Sequence, residues 1–549
     1  MPTITLALDG FTSRGIDKKA LPKLVDRLGM SLEEMDDKQA VIEITPDRPD
    51  LLEINGLCRA LKMLDGKIEP KENQYSLKGA PFLKITIGKG VKKCRPFIAG
   101  FVVKGADLTG NKIKELMNFQ EKLHETYGRK RKKMSIGIHN LDRIEGDIVY
   151  DASKAGEMMP LGGKKKIGFQ EVMKTAAEPE WDEIIKGYKA FPNVRDSKKV
   201  ISIAPVLNCE ETRVTESTKN LFVEITGTAW QTVDDTANIL ACLFIDSGAQ
   251  VLPCSLVGGK VKVTPTLEYK EFKVSYPKVD RTIGSFTTAK DAITFANRMG
   301  YTGGSTGSRI LFLVPPYRTD VINERDIIED IAIGYGYDKI SPLPILGSSV
   351  GVPDELTEDA EVICQALVGM GFSEAFNTYL TNEKQCFTMV GREQYDKESI
   401  VKVTYAKTET FSVLRDSVIP SLLSNLSTSV RATLPQRLFE VGSVFTVEKG
   451  KAVETKHASM VIEHAKSNFS EMKGVITELL RLMGPFKIEL KEAKGSAFIE
   501  GRCAFVVVDG KIAGIFGEIH PKILQNFGLE EPVAAAEIDI EAILGNPGK

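Results

Sequence analysis

The segment from Tyr317 to Ala332 concentrates carboxylates at helical spacing: Asp320, Asp326, Glu329 and Asp330 within Tyr-Arg-Thr-Asp-Val-Ile-Asn-Glu-Arg-Asp-Ile-Ile-Glu-Asp-Ile-Ala. At about 100° per residue, with Asp326 set at zero, Glu329 falls near about 300° and Asp330 near about 40°. Ile327, Ile328, Ile331 and Ala332 occupy the other side, and Asp320 stands just upstream, where the chain enters the helix. Two chemistries fit this pattern. Acidic residues near a helix N-terminus are stabilised by the macrodipole and form a solvated face. Converging carboxylates also repel one another, and a hard cation such as Mg²⁺, held by few carboxylates plus waters, offsets that repulsion. Spacing leaves both open.

Two further clusters carry polar chemistry. Glu210-Glu211-Thr212, followed by Thr215 and Thr218, is a hydroxyl-rich stretch ahead of a strand at Leu221. It reads either as an exposed turn or as a pocket for a hydroxyl-bearing substrate, with Asn208 beside it. Arg129-Lys130-Arg131-Lys132-Lys133 follows a helix predicted over 111–126. Such a run is either a solvated loop or a phosphate-contacting patch.

Other chemistries find no support. The five histidines show no HxxxH spacing, and no GxxxxGK[ST] or GxGxxG sequence occurs. The eight cysteines form no CxxC pair and read as reduced thiols of a cytoplasmic protein. No apolar run approaches the ~20 residues of a membrane helix, and the first ten residues do not resemble a signal peptide. The formal net charge of −2 excludes a broadly basic coat, so any nucleic acid would be met through a local patch or a partner.

The elements that must position these residues follow from length and pattern. At roughly 150 residues per domain, 549 residues imply three to four domains. Residues 1–75 read as an α+β unit: a helix over 17–28, a strand at 41–44, then Thr45-Pro46-Asp47-Arg48-Pro49-Asp50, with Asp50 placed to cap the next helix. Residues 82–268 are rich in short β-like runs. Residues 269–345 read as a small helical module of helix-turn-helix type, with Thr288-x-x-Asp291 as a helix start and Gly303–Ser308 as a turn. Residues 350–549 alternate helices and strands, as expected of an antiparallel-sheet domain. The fold class is therefore α+β multidomain.

Several of these segments, in this order, resemble the β subunits of phenylalanyl-tRNA synthetases of archaeal and eukaryotic type. Thr45-Pro46-Asp47-Arg48-Pro49-Asp50-Leu51-Leu52 is similar to the signature of that family's first domain. His124–Arg131, Ile136–Asp142 and the pattern E-x-T-x-V-x-x-x-T-x-N-x-x-x-E from Glu210 to Glu224 resemble its editing module. Arg318–Tyr337 resembles RxDxxxExDxxEDxAxxYGY. Leu414–Leu423 and Leu438–Gly442 resemble its C-terminal synthetase-like domain.

The resemblance implies a subunit of phenylalanine–tRNA ligase, an aminoacyl-tRNA synthetase of class II. In this family an α2β2 heterotetramer joins phenylalanine to tRNA(Phe) with ATP, and aminoacylation takes place on the α subunit. It implies that 82–268 edits mischarged tyrosyl-tRNA, with Glu210 accepting from the tyrosine hydroxyl and Thr212 or Asn208 orienting the ester. It implies Mg²⁺ at Asp320, Asp326, Glu329 and Asp330. It also implies that 350–549 is a degenerate synthetase core. Arg437-Leu438-Phe439-Glu440 has the wrong spacing for the ATP-binding Arg-x-Glu, and Ile512–His520 lacks the terminal arginine. The alternatives are a nucleic-acid-binding regulator built on 269–345 and a free-standing hydrolase of misacylated tRNA.

Overall fold

The computed structural model describes residues 2–544 apart from 78, 177–183, 187, 285–287, 343, 346, 348–349, 393 and 407, with backbone alone at 175 and 176. The chain folds as two compact units, Met1–Pro344 and Ile345–Lys549. Among the described residues, no helix is long and apolar enough to cross a membrane.

In the first unit, strands Thr3–Ala7, Gln39–Glu43 and Ser31–Met35 form an antiparallel sheet with Gln39–Glu43 in the middle. Helices Leu21–Arg27 and Ile54–Leu64 accompany it, burying Leu21, Leu24, Val25, Leu57 and Leu61. Each such side chain removed from water contributes about 1.5–3 kcal/mol. Glu53, and not Asp50, caps the second helix: its Oε2 accepts from the Asn55 and Gly56 amides at 2.8 and 3.1 Å. Asp50 is buried and taken by Arg48 at 2.9 Å, with Arg59 at 3.4 Å. Two buried arginines outcompete two amides for its charge. Residue 56 must be glycine, because a Cβ there would lie 2.0 Å from the Asp50 carbonyl oxygen.

The middle of this unit is a large mixed sheet. Its order is Leu207–Asn208, Val200–Ile203, Phe191–Arg195, Ile148–Ser153, Leu83–Ile87, Gln250–Val257, Phe97–Lys104, Asn220–Gly227, Met134–Asn140. The sheet rolls until its two ends meet: Asn208 Nδ2 donates to the Ile138 carbonyl at 3.4 Å. Helix Trp230–Asp246, which the β-like runs did not announce, packs on it and is buried almost all round. Even Asp235 and Asn238 of its polar stripe are buried.

The stretch read as a small helical module contains a three-stranded antiparallel sheet, with Arg309–Val314 between Lys270–Ser275 and Thr302–Thr306. Gly303–Thr306 lies on a strand and not in a turn. A Cβ at Gly303 would sit 2.7 Å from the Leu311 carbonyl, so glycine here permits strand pairing. Helices Tyr276–Ile283, Ala289–Asn297 and Glu324–Tyr335 complete it. Thr288 caps the second of these, accepting from the Asp291 amide at 3.2 Å.

The second unit is built on a seven-stranded sheet ordered Ser373–Glu374, Gln436–Glu448, Lys451–Glu463, Val533–Asp539, Lys511–Ile519, Phe498–Val508, Ile488–Glu492. All pairs are antiparallel except the first. Helices Glu355–Gly369 and Phe469–Met483 bury one face. Helices Ile419–Thr428 and Pro521–Phe527 share the other.

Candidate functional site

Where the large sheet closes on itself, a cavity of about 420 Å³ opens. Ile113, Met117, Ile136, Val206 and Val214 give it apolar walls, and Ser202, Asn208, Thr212 and Glu224 supply its polar groups. Glu224 is the outstanding residue. It stands inside the apolar strand Asn220–Gly227 with 3% exposure. Its Oε1 accepts from Ser202 Oγ at 2.7 Å, and its Oε2 has no hydrogen-bond partner among the described residues. A buried carboxylate oxygen left unpaired costs about 1–3 kcal/mol or more, which a ligand donor can recover. Gly137 lies directly across the strand pair, where a Cβ would come within 2.5 Å of Glu224 Oε1, so the glycine makes room for the carboxylate.

Thr212 is equally buried, its hydroxyl 2.9 Å from His139 Nδ1 and 3.2 Å from Cys209 Sγ. His139 Nε2 is unpaired and 3.9 Å from Glu224 Oε1, beyond hydrogen-bond reach. Of the residues expected from the sequence, Asn208 and Thr212 line the cavity and Glu210 does not. Glu210 turns away to accept from the Gly162 amide at 2.7 Å and from Arg213 at 3.3 Å, and that amide holds its carboxyl below the usual range. This corrects the assignment of Glu210 as the acceptor facing a bound hydroxyl. The signal for Glu224 was present in the sequence as a lone charge within Leu221-Phe222-Val223-Glu224-Ile225.

Arg131, from the basic run, reaches the cavity rim. It pairs with Glu121 at 2.8 Å and donates to the Pro205 carbonyl at 3.1 Å. Three successive residues there, Arg129, Lys130 and Arg131, take positive φ. Beneath the run Arg95, fully buried, donates to the Arg131 carbonyl, Thr226 and Ser135. The run is thus anchored from below.

The acidic helix divides its carboxylates among different tasks. Arg318, buried, binds Asp320 through Nε at 2.9 Å and Nη2 at 2.6 Å, and Nη2 also bonds Asp330, which Tyr301 Oη reaches as well. Burial alone would raise Asp320, but Arg318 holds it down to about 2. Asp326 is the N3 partner in a capping box, its Oδ2 accepting from the Ile322 and Asn323 amides at 2.7 and 2.8 Å while Asn323 Oδ1 accepts from Arg325. Glu329 has neither hydrogen bond nor ion pair among the described residues. Partial burial and then Asp330, Asp326, Asp47 and Asp320 raise its pKa. No three His, Cys, Asp or Glu side chains among the described residues converge as a metal cluster. The four expected ligands are therefore not brought together as one donor set.

In the second unit Arg437 and Glu440 fall on opposite faces of their strand, three residues apart. Arg437 pairs with Glu471 and Glu440 with the buried Arg415, each at 2.7 Å.

Three family models match the chain: "B3/4 domain" over 80–243, "tRNA synthetase B5 domain" over 272–337, and "Phenylalanyl tRNA synthetase beta chain CLM domain" over 341–540. A phenylalanine–tRNA ligase beta subunit from Archaeoglobus fulgidus is 34% identical, covering 99% of this chain and 98% of that protein. One from Methanosarcina acetivorans is 32% identical over 99% of both. Among solved structures, an N-terminal fragment of the phenylalanyl-tRNA synthetase beta subunit from Pyrococcus horikoshii matches with TM-score 0.58 and 26% identity, over 61% of this chain and 100% of that one.

Proposed function

Since the chain belongs to the phenylalanine–tRNA ligase beta-subunit family, we propose that it works beside an α partner in an α2β2 assembly, leaving ATP-dependent charging to α and discarding errors itself. It is a subunit of an aminoacyl-tRNA synthetase, and its cognate nucleic acid is tRNA(Phe). The compartment is the cytoplasm. The observation that carries the editing role is the unpaired Oε2 of Glu224 at an apolar cavity.

Tyrosine differs from phenylalanine by one hydroxyl, which an apolar synthetic site rejects poorly. In the cavity at the sheet closure the tyrosyl ring lies against the apolar walls and its O–H donates to Glu224 Oε2. A phenylalanyl group leaves that carboxylate unpaired, so the cavity prefers the error. Thr212 and Asn208 orient the ester, and Arg131 with its neighbours meets the phosphates of the acceptor end. Thr212's hydroxyl is already held by His139 and Cys209, so the attacking group is water.

Mg²⁺ fits the acidic helix at one point. Glu329, with the remaining oxygen of Asp326, offers a few-carboxylate site for a hydrated ion, while Asp320 and Asp330 are both engaged by Arg318. The ion would offset local repulsion and stiffen the helix start.

The test is deacylation of tyrosyl-tRNA by the assembled enzyme. Glu224→Gln should slow it at least about tenfold, the loss of roughly one good charged hydrogen bond, with phenylalanine charging unchanged. Equal loss of both activities would remove the editing assignment.

A further inference from the structure

The second unit holds a cavity of its own, about 440 Å³, on the sheet face shared with helices Ile419–Thr428 and Pro521–Phe527. A polar row crosses the sheet beneath it. Glu440, Ser459 and Glu537 are direct neighbours on three adjacent strands, and Gly442, His457 and Asp539 form the next rank. Side chains of such ranks project to one face. Most of this charge is paired. Glu537 accepts from His457 Nδ1 at 2.9 Å, from the Val418 amide at 3.1 Å and from the Ser417 hydroxyl. Arg392 holds Asp416 through two bonds of 2.8 Å. Asp539 is the exception: it lines the cavity, receives one backbone amide, that of Ala542, and has no hydrogen-bonded cation among the described residues, although its charge helps to raise the pKa of its cross-strand neighbour His457. Ser459, fully buried in the row, has a hydroxyl with no partner among the described residues. Phe498, Phe505, Ile512 and Ile515 form the other wall.

An anionic oxygen facing an aromatic and aliphatic wall selects a cation that carries an apolar body. We infer that this cavity is a binding site for a small primary ammonium compound of amino-acid size, its –NH₃⁺ on Asp539 and its hydrocarbon part against Phe498, Phe505 and Ile515. It is separate from the editing cavity, which belongs to the other unit, and it does not depend on the editing role. The unit that has lost the spacing for ATP chemistry keeps a place for a ligand, and ligand binding to the native form stabilises that unit.

Calorimetric titration of the full chain distinguishes the outcomes. Phenethylamine should bind, and 3-phenylpropanoate, which has a similar body with the opposite charge, should bind at least tenfold more weakly. Asp539→Asn should abolish that preference, and Ile515→Trp, which fills the cavity without changing charge, should weaken phenethylamine at least tenfold. Glu224→Gln should change neither. Phenylalanine that binds with the same Asp539 dependence identifies a free amino acid as the ligand, and phenethylamine alone identifies an amine; either upholds the site. No binding of phenethylamine at millimolar concentration, or binding lost in Glu224→Gln and kept in Asp539→Asn, overturns it. Thermal melts of the variants confirm that each is folded.

Discussion

Buried charge sets the behaviour of single residues in this protein. Arg318 serves the buried Asp330 and the partly buried Asp320, so Arg318→Met should cost about 3–5 kcal/mol, the range for removing one partner of a buried pair. A chemical-denaturation midpoint unchanged by the substitution would show that the carboxylates rearrange freely. Glu53 gives a pH effect of definite sign. Burial pushes its carboxyl up from 4.5 to about 7, partly offset by the Asn55 and Gly56 amides it caps. A raised acid is protonated in the fold over a range where the unfolded chain is ionised. Its contribution is therefore complete below about 4.5 and is lost as pH rises through about 7, a swing on the order of 3 kcal/mol. The melting temperature should fall across that window, and Glu53→Gln should flatten the fall; parallel curves would contradict the assignment. The sequence displayed both Glu210 and Glu224, and only three-dimensional packing separates them. A short helical turn points the first at a loop amide, whereas strand alternation drives the second into the cavity.

At the scale of elements, a glycine and a cap control the two candidate sites. Gly137 faces Glu224 across paired strands, and a methyl group there meets the carboxylate before anything else. Gly137→Ala should displace Glu224 and impair tyrosyl-tRNA hydrolysis while leaving phenylalanine charging and the melting temperature nearly unchanged. Normal hydrolysis would mean that Glu224 can move without consequence. The capping box of Asn323 and Asp326 fixes the start of the acidic helix, so Asn323→Ala should lose about 1 kcal/mol. Glu329→Gln should weaken the Mg²⁺ dependence of charging by the assembled enzyme; an unchanged titration would remove the metal from this helix. Elements with a clean period were legible. The helical spacing around Asp326 located Glu324–Tyr335, and Lys112–Glu125 agrees closely with the helix expected over 111–126. Helix Trp230–Asp246 was not legible, because its polar stripe at Gln231, Asp234, Asp235 and Asn238 gives way to the unbroken apolar run Ile239–Ile245. Strand Thr302–Thr306 was hidden by its glycines, which look like a turn and serve a close strand pair. The cap of Ile54–Leu64 was misplaced by three residues because two arginines, Arg48 just before it and Arg59 on the helix itself, claim Asp50.

At the scale of the whole chain, the proposed function leaves charging to a partner and checking to this subunit. Its second unit matches the beta-chain CLM domain, and there Arg437 and Glu440 serve different faces of their strand and different partners. Its first unit builds a cavity with an unsatisfied carboxylate, which suits rejection of a hydroxyl-bearing error. The family was legible from the order of motifs along the chain, whereas the sheet closure that creates the cavity joins strands some seventy positions apart and leaves no local trace. The decisive measurement is phenylalanine charging and tyrosyl-tRNA clearance by the chain alone, by its α partner alone and by the two together. The account predicts charging only in the mixture, with tyrosyl-tRNA accumulating when the mixture carries Glu224→Gln. Charging of phenylalanine by this chain without a partner would contradict it.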